Sequence, residues 1–320
     1  MKKKISKWLS ILLPLFLGVF LIIYQYNQFT TQQLLEMKGY FKNANYFYIY
    51  LSLIVAIFGF ASRAYRWKFS IEHMGYKSKF SNNLMAVCIG YFMNLTIPRS
   101  GEFTRAAIIK KYQNIPFDKA FGTIVAERIV DLFLFFLFVV TAFILQFKVL
   151  KNFIFETIPL EKLVILAIIA SIAFILFVLL WLYSKWKFIL FAKEKLAGLM
   201  EGMLSIVKMK KKWPFLFHSL FIWFTYILMF YIAIFALEET STISLGAVIT
   251  AFVISSLAIG FTNSGFGAFP LLIAQIFLLY HIPSTVGTAF GWLVWTSQTV
   301  LMIISGGISF LLLPILNKNK

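Results

Sequence analysis

From Leu163 to Tyr183 the chain runs for 21 residues without one charged side chain, and from Pro214 to Leu237 for 24. A helix rises 1.5 Å per residue, so about 20 apolar residues cross the hydrocarbon of a bilayer. Lipid offers no partner to a backbone N–H or C=O, which leaves helices and closed barrels as the spanning structures. Continuous apolar runs, rather than alternating ones, select the helix. Composition agrees, since 61% of the 320 residues are hydrophobic and 13% are charged, against about 25% charged in soluble domains. The expected fold class is all-α: a polytopic membrane protein, one transmembrane domain over residues 1–320.

Several function classes drop out. The net charge is +18, but the basic residues sit in loops beside apolar spans with no nucleic-acid-reading module among them. His73, His218 and His281 lack acidic or cysteine partners at ligand spacing, so no metal is expected. Cys88 is the single cysteine, so no internal disulfide can form. No glycine-rich phosphate loop or nucleophile elbow occurs. The expectation is a non-enzyme without cofactor.

Six full spans are expected, at about Trp8–Tyr24, Tyr46–Ser62, Phe121–Leu145, Leu163–Tyr183, Pro214–Leu237 and Thr288–Pro314. Two apolar pieces fit badly as spans. Leu84–Ile97 is short and ends in Pro98-Arg99-Ser100-Gly101, and Leu245–Tyr280 is broken by Thr262–Gly267. If both are re-entrant and the amino-terminal lysines lie inside, 24 basic residues fall on the cytoplasmic side and five outside. That is the asymmetry of cytoplasmic loops. Both termini are then cytoplasmic, in the cytoplasmic membrane of a bacterium or archaeon. Units of about residues 46–145 and 214–314 each read span, re-entrant piece, span, in opposite orientation, as in inverted-repeat transporters. Ser184–Trp213, rich in lysine with Glu194 and Glu201, reads as a helix on the anionic inner leaflet.

Ionisable groups inside a membrane are costly and mark pairs or polar paths. Around the first break, Asn94, Pro98 and Gly101 let the backbone turn. Arg99, Glu102 and Arg105 follow at spacings of three, on one helical face. Two guanidiniums there suit a phosphate; the alternative is an interfacial turn with snorkelling arginines. Glu127, Arg128 and Asp131 lie within the next span. They read either as a salt-bridge knot holding Arg128 or as part of a polar path, with Arg99 or Arg105 neutralising the surplus acid. Arg63 and Arg66 read as snorkelling anchors at the end of the second span. Asn263, Ser264, Gly265 and Gly267, with Pro270 behind them, form the outer break. Its free N–H groups suit an anion, or it is a plain turn.

The runs Arg63-Ala64-Tyr65-Arg66-Trp67-Lys68, Asn94 to Arg105 and Glu127-Arg128-Ile129-Val130-Asp131 together resemble the flippase-like membrane domain of lysylphosphatidylglycerol synthases. The resemblance covers about residues 46–314 and includes stand-alone members of that family. It implies a translocase, or translocase-like binder, of an anionic lipid, either a phospholipid or a polyprenyl-phosphate-linked precursor. Arg99 and Arg105 would then hold the phosphate and Asn263–Gly267 form an outer gate. Two departures stand out: the second break lacks the glutamate that usually follows it in the family, and no aminoacyltransferase domain is present. The rivals are an accessory subunit of an envelope glycosyltransferase or lipid-modifying enzyme, and, more weakly, a membrane-embedded transferase.

Overall fold

The computed structural model describes residues 2–157, 159–184, 186–187, 189–191, 193, 206 and 208–318. The described residues are helical, with short connections. In chain order they form α1 (Lys2–Tyr26), α2 (Thr31–Asn43), α3 (Tyr46–His73), α4 (Phe80–Thr96), α5 (Ser100–Gln113) and α6 (Phe117–Leu145). There follow α7 (Phe147–Thr157), α8 (Leu160–Tyr183), α9 (Lys212–Ala233), α10 (Leu245–Phe261), α11 (Ala268–Leu278) and α12 (Ser284–Ile315). Among the described residues, four helices are long and apolar enough to cross a membrane: Tyr46–His73, Phe117–Leu145, Lys212–Ala236 and Ser284–Ile315. Helices α1 and α8 occupy the other two stretches expected to span. Most of the expected surface helix, including Glu194 and Glu201, lies outside the described residues.

Helices α4 and α5 pack on each other as a tight hairpin, and so do α10 and α11. Each is flanked by two of the long helices, so the order long helix, hairpin, long helix occurs twice. At the first tip, Pro98 and the left-handed backbone of Arg99 (φ 61°) reverse the chain. The free helix ends there are capped locally. The Ser100 hydroxyl donates to the Met93 and Ile97 carbonyls at 2.9 and 2.7 Å, and the Gly101 N–H donates to Asn94 Oδ1 at 2.7 Å. Gly101 lies against the Gly90 carbonyl, where a Cβ would not fit. The legs therefore touch backbone to backbone, as small residues allow between membrane helices. At the base, the Lys79 N–H donates to Gln113 Oε1 at 2.6 Å.

The second tip, Thr262–Gly267, turns through three residues of positive φ, Ser264, Gly265 and Gly267. Gly267 there meets the backbone of α1 at Gly18. The two tips also touch. Asn263 Nδ2 donates to the Leu95 carbonyl at 2.7 Å, and the Ser264 hydroxyl to the Asn94 carbonyl at 3.1 Å.

Helix α12 is the spine that both hairpins share. Its early residues Gly287 and Gly291 receive α11 at Ala274 and Pro270, while Gly306 receives α4 at Cys88 and Phe92. Beyond its end, Asn317 and Asn82 exchange amide hydrogen bonds at 3.0 Å. The hairpins thus enter from opposite ends of α12 and meet between. The larger apolar core gathers Phe230, Phe252, Phe277 and Phe290 from α9 to α12; a smaller one joins Trp67, Ile89, Ile109 and Ile124 around the first hairpin.

The structure corrects two expected boundaries. The second span does not stop at Ser62 but continues to His73. The piece expected at Leu84–Ile97 is one leg only, since the chain returns as the helix Ser100–Gln113, whose Gly101, Arg105, Ala106, Ile108 and Ile109 are buried.

Candidate functional site

The charged residues of α3, α5 and α6 converge where the first hairpin lies against the two long helices. Asp131 is the hub. Arg66 holds it in a fork, with Nη1 to Oδ1 at 2.6 Å and Nη2 to Oδ2 at 3.1 Å. Arg63 Nη1 reaches Oδ2 at 3.4 Å, and Arg128 Nη1 lies 3.6 Å from the same oxygen. Glu127, with no exposed surface, sits between Arg105 at 3.2 Å and Arg66 at 3.6 Å. Arg128 also approaches Glu102, at 3.9 Å.

Neighbours fix the guanidinium planes. Arg66 donates to Ser219 at 3.2 Å and lies over the Phe215 ring. Arg105 stacks on Trp67, its Cζ 4.2 Å from the ring centre, and the Trp67 indole N–H donates to Thr123 at 2.9 Å. Arg63 donates to the Tyr226 hydroxyl at 2.9 Å, and Tyr226 and Tyr91 share a hydrogen bond at 3.2 Å.

Four guanidiniums therefore face three carboxylates, leaving one positive charge when all are ionised. Donors are also left over. Among the described residues, Arg63 Nε, Arg66 Nε, Arg105 Nε and Nη1, and Arg128 Nε are buried without a hydrogen-bond partner, as are the acceptors Glu102 Oε2 and Glu127 Oε1. An unpaired buried donor costs about 1–3 kcal/mol, more when charged. A cavity of about 40 Å³ adjoins them, lined by Arg63, Tyr91, Asn94, Glu102, Arg105 and Arg128 among others. It has room for water and presents three guanidiniums to whatever enters. A small anionic group is the ligand whose chemistry this surplus matches.

The placement of the expected residues is mixed. Glu102, Arg105, Glu127, Arg128 and Asp131 lie together, with Asn94 at the rim of the cavity. Arg63 and Arg66 are not snorkelling anchors. They are buried, at 3% and 0% exposure, because α3 carries them inward about 10–15 Å from its end at His73. Arg128 is not the captive of Glu127 and Asp131. Its side chain is 42% exposed and shared between Asp131 and Glu102. Arg99 and Arg105 do not form a pair on one helical face. Arg99 precedes the first turn of α5 in a left-handed conformation and is exposed, whereas Arg105 is committed to Glu127. Asn263 and Ser264 serve the contact between tips, with Gly265 and Gly267 supplying its turn and Pro270 packed on Gly291.

Sequence reasoning missed Tyr91, Ser219 and Tyr226. The signal for Arg63 and Arg66 was present: two arginines three apart, continuing the helical face of an apolar run. Among the described residues, no group of three or more His, Cys, Asp or Glu could hold a metal ion.

Comparison with known proteins gives a consistent result. The family described as the lysylphosphatidylglycerol synthase TM region matches residues 8–306. The UPF0104 membrane protein MJ1595 of Methanocaldococcus jannaschii is 29% identical over 299 residues, covering 85% of this chain and 86% of its own. No solved structure matches.

Proposed function

The chain belongs to the family of the lysylphosphatidylglycerol synthase transmembrane region, and from that premise we propose that it is a translocase, or translocase-like binder, of an anionic lipid. The ligand class is a phospholipid or a polyprenyl-phosphate-linked precursor. The observation that carries the reading is the arginine-rich cluster: net positive, with unpaired buried donors, at the side of a hairpin whose tip meets a second hairpin. In this reading Arg128, the most exposed member, greets the phosphate. Arg63 and Arg105 complete the cradle, and Asp131 and Glu127 hold the guanidiniums in register. The protein acts as a carrier and not as an enzyme.

The topology that goes with it has six spans, α1, α3, α6, α8, α9 and α12, with the two hairpins re-entrant from opposite faces. Helices α3–α6 and α9–α12 are then inverted units in the cytoplasmic membrane, with both termini inside. The support is the charge asymmetry, the opposed approach of the hairpins along α12 and the contact between their tips. Placing Arg99 and Arg105 beside the tip removes them from the cytoplasmic set and leaves that asymmetry intact.

A second reading, an accessory subunit of an envelope-biosynthesis enzyme, draws on a specific observation: a cavity of about 40 Å³ is too small for a headgroup unless the cluster opens. Reconstituted vesicles separate the two. The translocase reading expects fluorescent anionic phospholipid to cross faster than zwitterionic. Arg128→Lys, which keeps charge but loses the fork, should cut that preference by about tenfold. Vesicles in which neither lipid moves, from a protein that co-purifies with an enzyme, would establish the accessory role instead.

A further inference from the structure

A second basic site lies apart from the arginine cluster. The end of α3, the turn Gly75–Ser78 and residues 208–211 enclose a cavity of about 820 Å³. That is the size of a small-molecule site. It lies beside the base of the first hairpin, where the basic residues concentrate. Five lysines line it, Lys68, Lys77, Lys208, Lys210 and Lys211, with Glu72 as the acid among them.

The lysines are not equivalent. Glu72 takes Lys211 at 2.8 Å and stands 3.9 Å from Lys68, so these three charges are engaged with one another. Lys77, Lys208 and Lys210 are exposed, and none has an ion pair or hydrogen bond among the described residues. Three ammonium groups without a partner among the described residues thus share one concave surface. Phe69, Tyr76 and the buried Met209 add an apolar backing beside the charges, and His73, Gly75 and Ser78 complete the wall.

Lysines that serve only to fix topology need no cavity; they reach outward to the headgroup layer. Here they line one concavity, where an anion with several charges would relieve the repulsion between them. Ammonium groups on flexible stems suit phosphoryl oxygens as point charges rather than forks.

We infer that this cavity is a binding site for a diphosphate or similarly multivalent phosphoryl group, separate from the arginine cluster. The group arrives either on a lipid in the same leaflet, the apolar wall taking the start of its chain, or free in the aqueous phase. The inference stands without the translocation reading, because it concerns equilibrium binding and not movement.

The test uses the full chain in detergent, titrated calorimetrically with sodium pyrophosphate, and again in zwitterionic nanodiscs doped with a diphosphate-linked polyprenyl lipid. Wild type should bind pyrophosphate, with an affinity that falls as salt is raised. The combined variant Lys77→Gln, Lys208→Gln and Lys210→Gln should weaken binding by roughly 100-fold. A matched variant, Lys110→Gln, Lys111→Gln and Lys119→Gln, removes three exposed charges outside the cavity and should leave binding within about twofold of wild type. If the doped lipid displaces pyrophosphate, the lipid is the natural source; if it does not, the source is aqueous, and the site stands in both cases. Absence of pyrophosphate binding, or equal losses in the two triple variants, would overturn it.

Discussion

Asp131 gathers three arginines, and what each contributes follows from how dry its contact is. Arg66 and Asp131 form a forked pair with one partner at 0% side-chain exposure and the other at 10%. Removing one member of such a pair strands the other, at about 3–5 kcal/mol. Arg128, at 42% exposure and 3.6 Å, resembles a surface pair, for which about 0–1 kcal/mol is typical. Arg66→Ala should therefore abolish or sharply lower thermal stability in detergent, while Arg128→Ala shifts it little. Equal losses in the two variants would mean that Arg128 is as structural as Arg66. At this scale the sequence was half legible. Glu102, Arg105, Glu127, Arg128 and Asp131 stood out because each interrupts or borders an apolar run. Arg63 and Arg66 hid because an arginine at the end of an apolar run is so often a headgroup anchor, and only the continuation of α3 to His73 draws them in.

At the scale of elements, the first hairpin shows why hydropathy alone misreads a helical hairpin with one charged leg. Its outgoing leg, Phe80–Thr96, is apolar and was legible as a short piece. Its return leg, Ser100–Gln113, carries Glu102, Arg105, Lys110 and Lys111 in 14 residues and is too charged to show as an apolar leg. The helix forms nonetheless because its charges have partners or water. Arg105 pairs with Glu127, Glu102 approaches Arg128, and Lys110 and Lys111 fall near the base. The second hairpin was legible as a break in a long apolar run, since its turn concentrates glycine and small polar residues. Opposed entry of the hairpins makes a labelling prediction. With Cys88 replaced, single cysteines at Lys79 and Lys119 should react with an impermeant reagent from one face only, and those at Glu239 and Ser284 only from the other. Either pair split between faces would refute re-entrance of that hairpin.

For the whole molecule, the repeated order of long helix, hairpin and long helix was legible from span lengths and the charge asymmetry, whereas the contact between tips was not. That contact joins residues 168 and 170 positions apart, and no local pattern foretells a pairing at such distance. It also fixes an order of events during synthesis. The carbonyls of Asn94 and Leu95 lie at the end of α4 and take their hydrogen bonds from Asn263 and Ser264. At a usual elongation rate, those donors emerge on the order of 10–30 s after the carbonyls they cap. Until then those two carbonyls lack their donors, and with the tip at the membrane depth proposed above, hydrocarbon would penalise them by several kcal/mol each. A chain stopped at Leu237 should accordingly be inserted but short-lived, and pulse-chase labelling should find it degraded faster than the full chain. Supplying residues 206–320 as a separate polypeptide should restore its lifetime. The nascent protein is thus expected to be most vulnerable between its two hairpins, when the Asn94 and Leu95 carbonyls still lack the donors of the second.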